Sequence, residues 1–197
     1  TSTEFESKLN KFVNVLSPTR FDKIFKSNKK EIDSSITTYA MKNGIKNLFS
    51  HIHQLLDNCV TTTNDVQQYI VKIHADFDTE YGFKEIKPYL FDIKPYQAEL
   101  EEVLLKGEAY RTSTKITLTE KNMALQKLNN TMLFQARNVL FKARREAIVW
   151  GENVMSPIKN QILDHKKLIE NRLLVLLAAN QSEEKLNGVN NKSAISK

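Results

Sequence analysis

Five glycines, four prolines and one cysteine among 197 residues leave few breaks and no intrachain disulfide. A phosphate-cradling loop needs two glycines five residues apart, followed by Lys and Ser or Thr. Gly44, Gly82, Gly107, Gly151 and Gly188 are spaced far too widely for that loop or for a dinucleotide fingerprint. No apolar run approaches the roughly 18 residues of a membrane span, and the first residues carry no signal-peptide pattern. The lone Cys59 fits a reducing, cytoplasmic setting and reads as a small core residue. A helical di-iron site needs Glu three residues before His, but Leu48, Ser50, Val71 and Ile162 precede the four histidines by three. His53/Asp57 and His74/Asp78 are i,i+4 pairs that could each offer one edge to a metal, and both read as locally paired side chains. Glu99, Glu101, Glu102 and Glu108 have no reason to be buried and hence none for a useful pKa shift. The expectation is a chain with no catalytic, cofactor-binding or metal residues, and not itself an enzyme. It begins Thr-Ser-Thr without Met, so it reads as a piece of a longer protein.

What is abundant is helical periodicity. Hydrophobic residues make up 41% of the chain. From Met132 through Ala136, Val139, Ala143, Ala147, Trp150, Val154, Ile158 and Ile162 to Ile169, apolar positions recur at steps of three and four. That period keeps the stripe on one side of a nearly straight helix. Thr117–Gln181 therefore reads as one long helix bent at Pro157, opened by a Thr117/Glu120 capping box. Ser156-Pro157 can equally begin a fresh helix. A second stripe runs from Ile45 through Ile52, Leu56, Val66 and Ile70 to Phe77 and predicts a helix over 45–80. Thr61-Thr62-Thr63-Asn64 is its weak point, though continuity is favoured because the stripe resumes in register. Shorter helices are expected over Glu4–Leu16, Thr19–Phe25 and Glu31–Lys42, with a break at 27–30 and a stop at Asn43-Gly44. Gly82 should end the 45–80 helix. Pro88 and Pro95 keep Phe83–Lys94 extended, and a short acidic helix is expected over Tyr96–Tyr110. The fold class is all-α: an elongated antiparallel bundle of long helices with a short aromatic-rich connecting tip. Residues 1–181 form one domain, 81–116 its connecting segment, and 182–197 a tail whose polar composition predicts disorder.

Charge is uneven. Residues 1–60 sum to +3, 61–110 to −5 and 111–197 to +8, giving the net +6. The basic clusters Lys23-Lys26-Lys29-Lys30 and Lys142-Arg144-Arg145 read as solvated faces, with phosphate contact as the alternative. Tyr81, Phe83, Tyr89 and Phe91, interleaved with Lys84, Lys87 and Lys94, form the one candidate contact site. Rings with nearby lysines suit a membrane interface or a partner patch, or else cap the end of the bundle.

Phe77-Asp78-Thr79-Glu80-Tyr81-Gly82, Gln135-Ala136-Arg137-Asn138, Trp150, Met155-Ser156-Pro157-Ile158 and His165 together resemble the C-terminal helical region of bacterial dynamin-like large GTPases. The likeness spans roughly Phe12–Leu177 and lacks the GTPase half, so no catalytic residue carries over. It implies a stalk that packs helix on helix, self-associates or packs against the rest of its parent GTPase, and relays nucleotide-driven motion. It also implies a tip that touches an anionic membrane, hence a location peripheral to the inner membrane. Two other functions are weighed beside it: a stand-alone helical scaffold or adaptor for a partner protein, and a basic helical nucleic-acid binder. No small-molecule substrate and no specific nucleic acid are expected.

Overall fold

The computed structural model describes residues 2–82 and 87–194, and the side chains of all of these except Ser2, Tyr81 and 182–194. Among the described residues every regular element is helical: α1 (Ser2–Val15), α2 (Pro18–Ser34), α3 (Thr38–Tyr81), α4 (Lys94–Thr112), α5 (Thr114–Leu118), α6 (Lys121–Leu128), a π-helical turn (Asn129–Leu133), α7 (Phe134–Asn153) and α8 (Ser156–Ala194). The protein is all-α.

The spine is α3, whose 44 residues rise about 66 Å. Thr37 caps it, accepting from the Ala40 amide at 3.1 Å. The triple-threonine stretch does not break it. Thr62 and Thr63 donate to the carbonyls of Asn58 and Cys59 at 2.6 and 2.7 Å, so their hydroxyls are satisfied inside the helix. Gly82 ends it, as its position in the sequence suggests.

Two expected breaks are absent. The polar run 27–30 stays helical because α2 lies on α3, and Asn28 is buried with its amide on the Ile24 carbonyl. Gly44 continues α3 instead of stopping it. A Cβ there would lie 2.7 Å from Ile32 Cγ1, so the residue permits close packing of α2 on α3.

The contact pairs define the seams. Asn28 meets His51 and Glu31 meets Asn47, so α2 runs against the direction of α3. Glu4 meets Tyr69 and Val15 meets Cys59, so α1 extends the same line past the Ser17-Pro18 bend. Arg137 reaches Asp22, and Lys142 reaches Glu99, which sets α7 against α2 and α4. One contiguous apolar core threads these seams, with Phe12, Leu16, Leu48, Phe49, Ile70 and Leu104 fully enclosed.

The long helix read over Thr117–Gln181 is a correction. It is broken twice and bulged once. Ile116 is wholly buried, and the chain turns after α5 to place it there. The capping box does not form: Thr119 donates to the Lys115 carbonyl at 2.6 Å, and α6 starts without a side-chain cap. Lys121 instead ties this corner to the α2–α3 turn through the Ser35 carbonyl at 3.2 Å. Between Leu128 and Leu133 the buried positions are five apart, and the π-turn absorbs the extra residue so that Ala136, Val139 and Ala143 stay on the core. The second break falls at Val154–Met155, where Ser156-Pro157 opens α8. The helix continues to Ala194 through the stretch whose composition suggests disorder, and residues 195–197 lie outside the described ones. Glu183-Glu184-Lys185-Leu186 are all good helix formers.

Gly107 of α4 faces the flat of Phe49, and a Cβ there would lie 2.4 Å from the ring tip. Gly107→Ala should cost about 1–3 kcal/mol by overpacking. The check is chemical denaturation: a midpoint that falls with an unchanged m-value.

Candidate functional site

Two features stand out: an aromatic seat where 87–93 crosses the bundle, and the outer part of α8.

The crossing strap has no regular structure but is firmly held. Trp150 Nε1 donates to the Tyr89 carbonyl at 2.7 Å, and Gln67 donates to the Phe91 carbonyl. Asp92 accepts from the Lys94 amide at 3.0 Å and steers the chain into α4. Phe91 is 5% exposed and sits among Phe12, Tyr96 and Trp150 with ring centroids 5.4 to 5.9 Å away. The Tyr96 hydroxyl meets the Glu146 carboxylate, and burial first, then that bond, pushes the phenol well above its ordinary range. Beside these rings lies a cavity of about 880 Å³, also lined by Lys142, Arg145, Glu146 and Val149.

The candidate contact residues therefore divide. Phe91 is core and presents nothing to a partner. Tyr89, Lys87 and Lys94 are exposed. Phe83, Lys84 and the Tyr81 side chain lie outside the described residues. No group of three metal-binding side chains occurs among the described residues. His74 is buried while His53 faces solvent, so the two i,i+4 pairs sit in different settings. Among the basic clusters, Lys29 pairs with Asp33 and Lys142 with Glu99 at 3.4 Å. Among the described residues, no helix is long and apolar enough to cross a membrane.

The outer part of α8 is the feature that stripe counting alone did not expose. Among the described side chains of α8 and its entry, Val154 and Ile158 are the last buried ones, and every one from Ile162 to Gln181 is exposed. Yet this segment is strongly apolar: Ile162, Ile169, Leu173 and Leu176 are 41, 54, 56 and 62% exposed along one stripe. Leu174, Val175 and Leu177 widen it. Monomeric surfaces scatter apolar side chains singly, and a contiguous set marks an interaction surface. The sequence did carry a signal for it in the run Leu173–Ala179, which is apolar at every position around the helix.

No protein-family model matches the chain, and neither the characterised proteins nor the solved structures searched include a match.

Cys59 is enclosed by α1 and α3, and burial pushes its thiol from 9.0 up to about 12, opposed in part by the Arg20 charge. The unfolded thiol ionises first, so its contribution to stability is complete below pH 9 and is lost as pH rises toward 12. That loss reaches about 4 kcal/mol at the upper end. Alkaline unfolding should be less steep in Cys59→Ala, and thiol reagents at pH 8 should label the native protein only after denaturant is added.

Proposed function

We propose that this chain is a non-catalytic helical assembly region: an elongated antiparallel bundle that works by packing helix against helix, with α8 as its docking element. The observation that carries this reading is the exposed apolar stripe of α8 beyond Ile158. A single helix lying free in water is marginal, and tertiary contact supplies most helical stability. A segment of this length and composition calls for a covering surface.

The charge pattern favours a second copy of the chain as that cover. About Leu168 two pairs of charged residues invert in sign: Asp164 and Lys166 on one side, Glu170 and Arg172 on the other, with Lys167 alone lacking an acidic counterpart. Two α8 helices laid antiparallel across Leu168 bring Lys166 opposite Glu170 of the second copy, and Asp164 to the same level as its Arg172. The same register sets Leu163 against Leu173 and Ile162 against Leu174. Such a two-fold contact is self-complementary. Lys166 and Glu170 are 3.8 Å apart within one chain, with both side chains more than half exposed, so they remain available to a partner. Each stripe residue is already partly shielded, so burying it gains about 1 kcal/mol. Four per protomer compare with an association cost of about 4–15 kcal/mol, which makes the pairing concentration-dependent.

The likeness to the stalks of bacterial dynamin-like GTPases fits this reading, with the nucleotide chemistry then residing in another part of the parent protein. The gene decides that part: the reading expects a phosphate-loop GTPase segment in the coding sequence, and its absence leaves the stand-alone scaffold. The alternative tip contact retains Tyr89, Lys87 and Lys94, since Phe91 is committed to the core.

Light scattering coupled to size exclusion tests the self-association. The wild type should shift from monomer toward dimer as concentration rises, and Ile169→Asp with Leu173→Asp should hold it monomeric with unchanged far-UV dichroism. Lys166→Glu or Glu170→Lys alone should weaken the dimer, and the two together should restore it. A monomer at every concentration ends the reading.

A further inference from the structure

We infer that the groove between α2 and α3 is a phosphate-binding site. Residues of both helices line a groove of about 590 Å³, within the range of small-ligand sites. From α2 it takes Arg20, Lys23 and Ser27. From α3 it takes His51, Gln54 and Asn58, with Ile24 and Leu55 in its floor. These positions recur at three and four residues on each helix, so they form two facing rows. The span from Arg20 to Asn28 is about 12 Å along the helix. None of the lining residues is acidic. Arg20 and Lys23 make no ion pair with any described residue, whereas Lys29, Arg111, Arg137 and Lys142 do. The aromatic cavity near Trp150 differs on this point, since Asp92 and Glu146 line it beside its cations.

The floor of the groove sets the chemistry of its one imidazole. Asn28 is 3% exposed, and its Nδ2 donates to the Ile24 carbonyl at 2.8 Å. That fixes the amide with Oδ1 toward His51 Nδ1, 3.0 Å away. An acceptor at that position requires the proton on Nδ1. His51 Nε2 is then the nitrogen left to meet a ligand, as a lone pair in the neutral ring and as an N–H in the imidazolium. Asn28 is a positioning residue in this arrangement.

Two unpaired cations, with hydroxyl and amide donors around them and an Nε2–H from His51 in its imidazolium form, suit an anion with several terminal oxygens. A phosphate offers three, and the guanidinium fork matches two of them at once. Ile24 and Leu55 give an apolar stem somewhere to lie. The ligand class is thus a phosphate ester on an organic stem, either a soluble phosphorylated compound or a phospholipid headgroup. This site is separate from α8 and stands whether or not the chain pairs with itself.

The test uses the whole chain, with nitrogen-15 NMR of the Arg20 Nε and His51 ring signals during titration with inorganic phosphate. Potassium chloride at matched ionic strength is the reference. Saturable shifts confined to 20–28 and 51–58 are expected. Arg20→Gln with Lys23→Gln should raise the apparent Kd about tenfold or more, with an unchanged thermal midpoint. Lys26→Gln with Lys30→Gln should leave the Kd unaltered. Sedimentation with phosphatidylcholine vesicles, with and without phosphatidic acid, then separates the sources. Pelleting that requires both phosphatidic acid and Arg20/Lys23 assigns the site to a headgroup, and phosphate binding without pelleting assigns it to a soluble ligand. Shifts equal to those in chloride, or equal losses from both double variants, would overturn the site in favour of diffuse screening.

Discussion

Three helices of this fold, α1, α2 and α4, bury their apolar faces against α3. Its stripe from Ile45 through Phe49, Ile52, Val66 and Ile70 to Ile73 is the surface on which α1, α2 and α4 close. A helix this long offers a continuous apolar strip, and its partners lie along it. That explains the line of α1 and α2, which share a seam with α3 on either side of the Ser17-Pro18 bend. It also explains why α7 must reach the core between α2 and α4. Phe12, Phe91 and Trp150 knit the far side of that core, where α1, the strap and α7 meet.

Much of this was legible in the residues, and the misses have physical causes. The α3 stripe could be read through Thr62 and Thr63 because its period survives them. Their hydroxyls bond back within the helix, so β-branching alone does not interrupt it. Asn43-Gly44 misled because a C-terminal glycine and a close-packing glycine look alike in sequence, and only the neighbour, Ile32, tells them apart. The Thr117–Gln181 helix misled more deeply. Its period of three and four residues describes an amphipathic face but not what covers it, and the gap of five between Leu128 and Leu133 was there to be seen. Phe91 stays ambiguous in sequence because aromatic rings beside lysines serve a core edge and an interface equally well, and its burial decides for the core edge. The facing rows of the α2–α3 groove were invisible from sequence, since they depend on which residues of two helices come into register.

The same stripe logic gives α8 its meaning. Inside the bundle, Ala143, Ala147, Trp150 and Ile158 are covered, and the pattern then carries on past Ile162 with no described residue burying it. That maintained apolar spacing is what the proposed docking role of α8 rests on. In the proposed pairing, the sign inversion of charge about Leu168 favours a second copy of the chain, because it matches an antiparallel twin without help from any other sequence. The acidic α4 and the basic groove of α2 lie elsewhere on the molecule and leave that surface free.

A nitroxide placed at residue 168 in a Cys59→Ala background gives the most direct reading of this account, through dipolar distance measurement at concentrations where the chain associates. Two α8 helices meeting at the level of Leu168 and packed about 8–10 Å apart, with residue 168 on the outer side of each, hold the labels roughly 20–30 Å apart, as a single narrow distribution. A label at 168 with no dipolar partner, or one whose distances are long and broad, would contradict it.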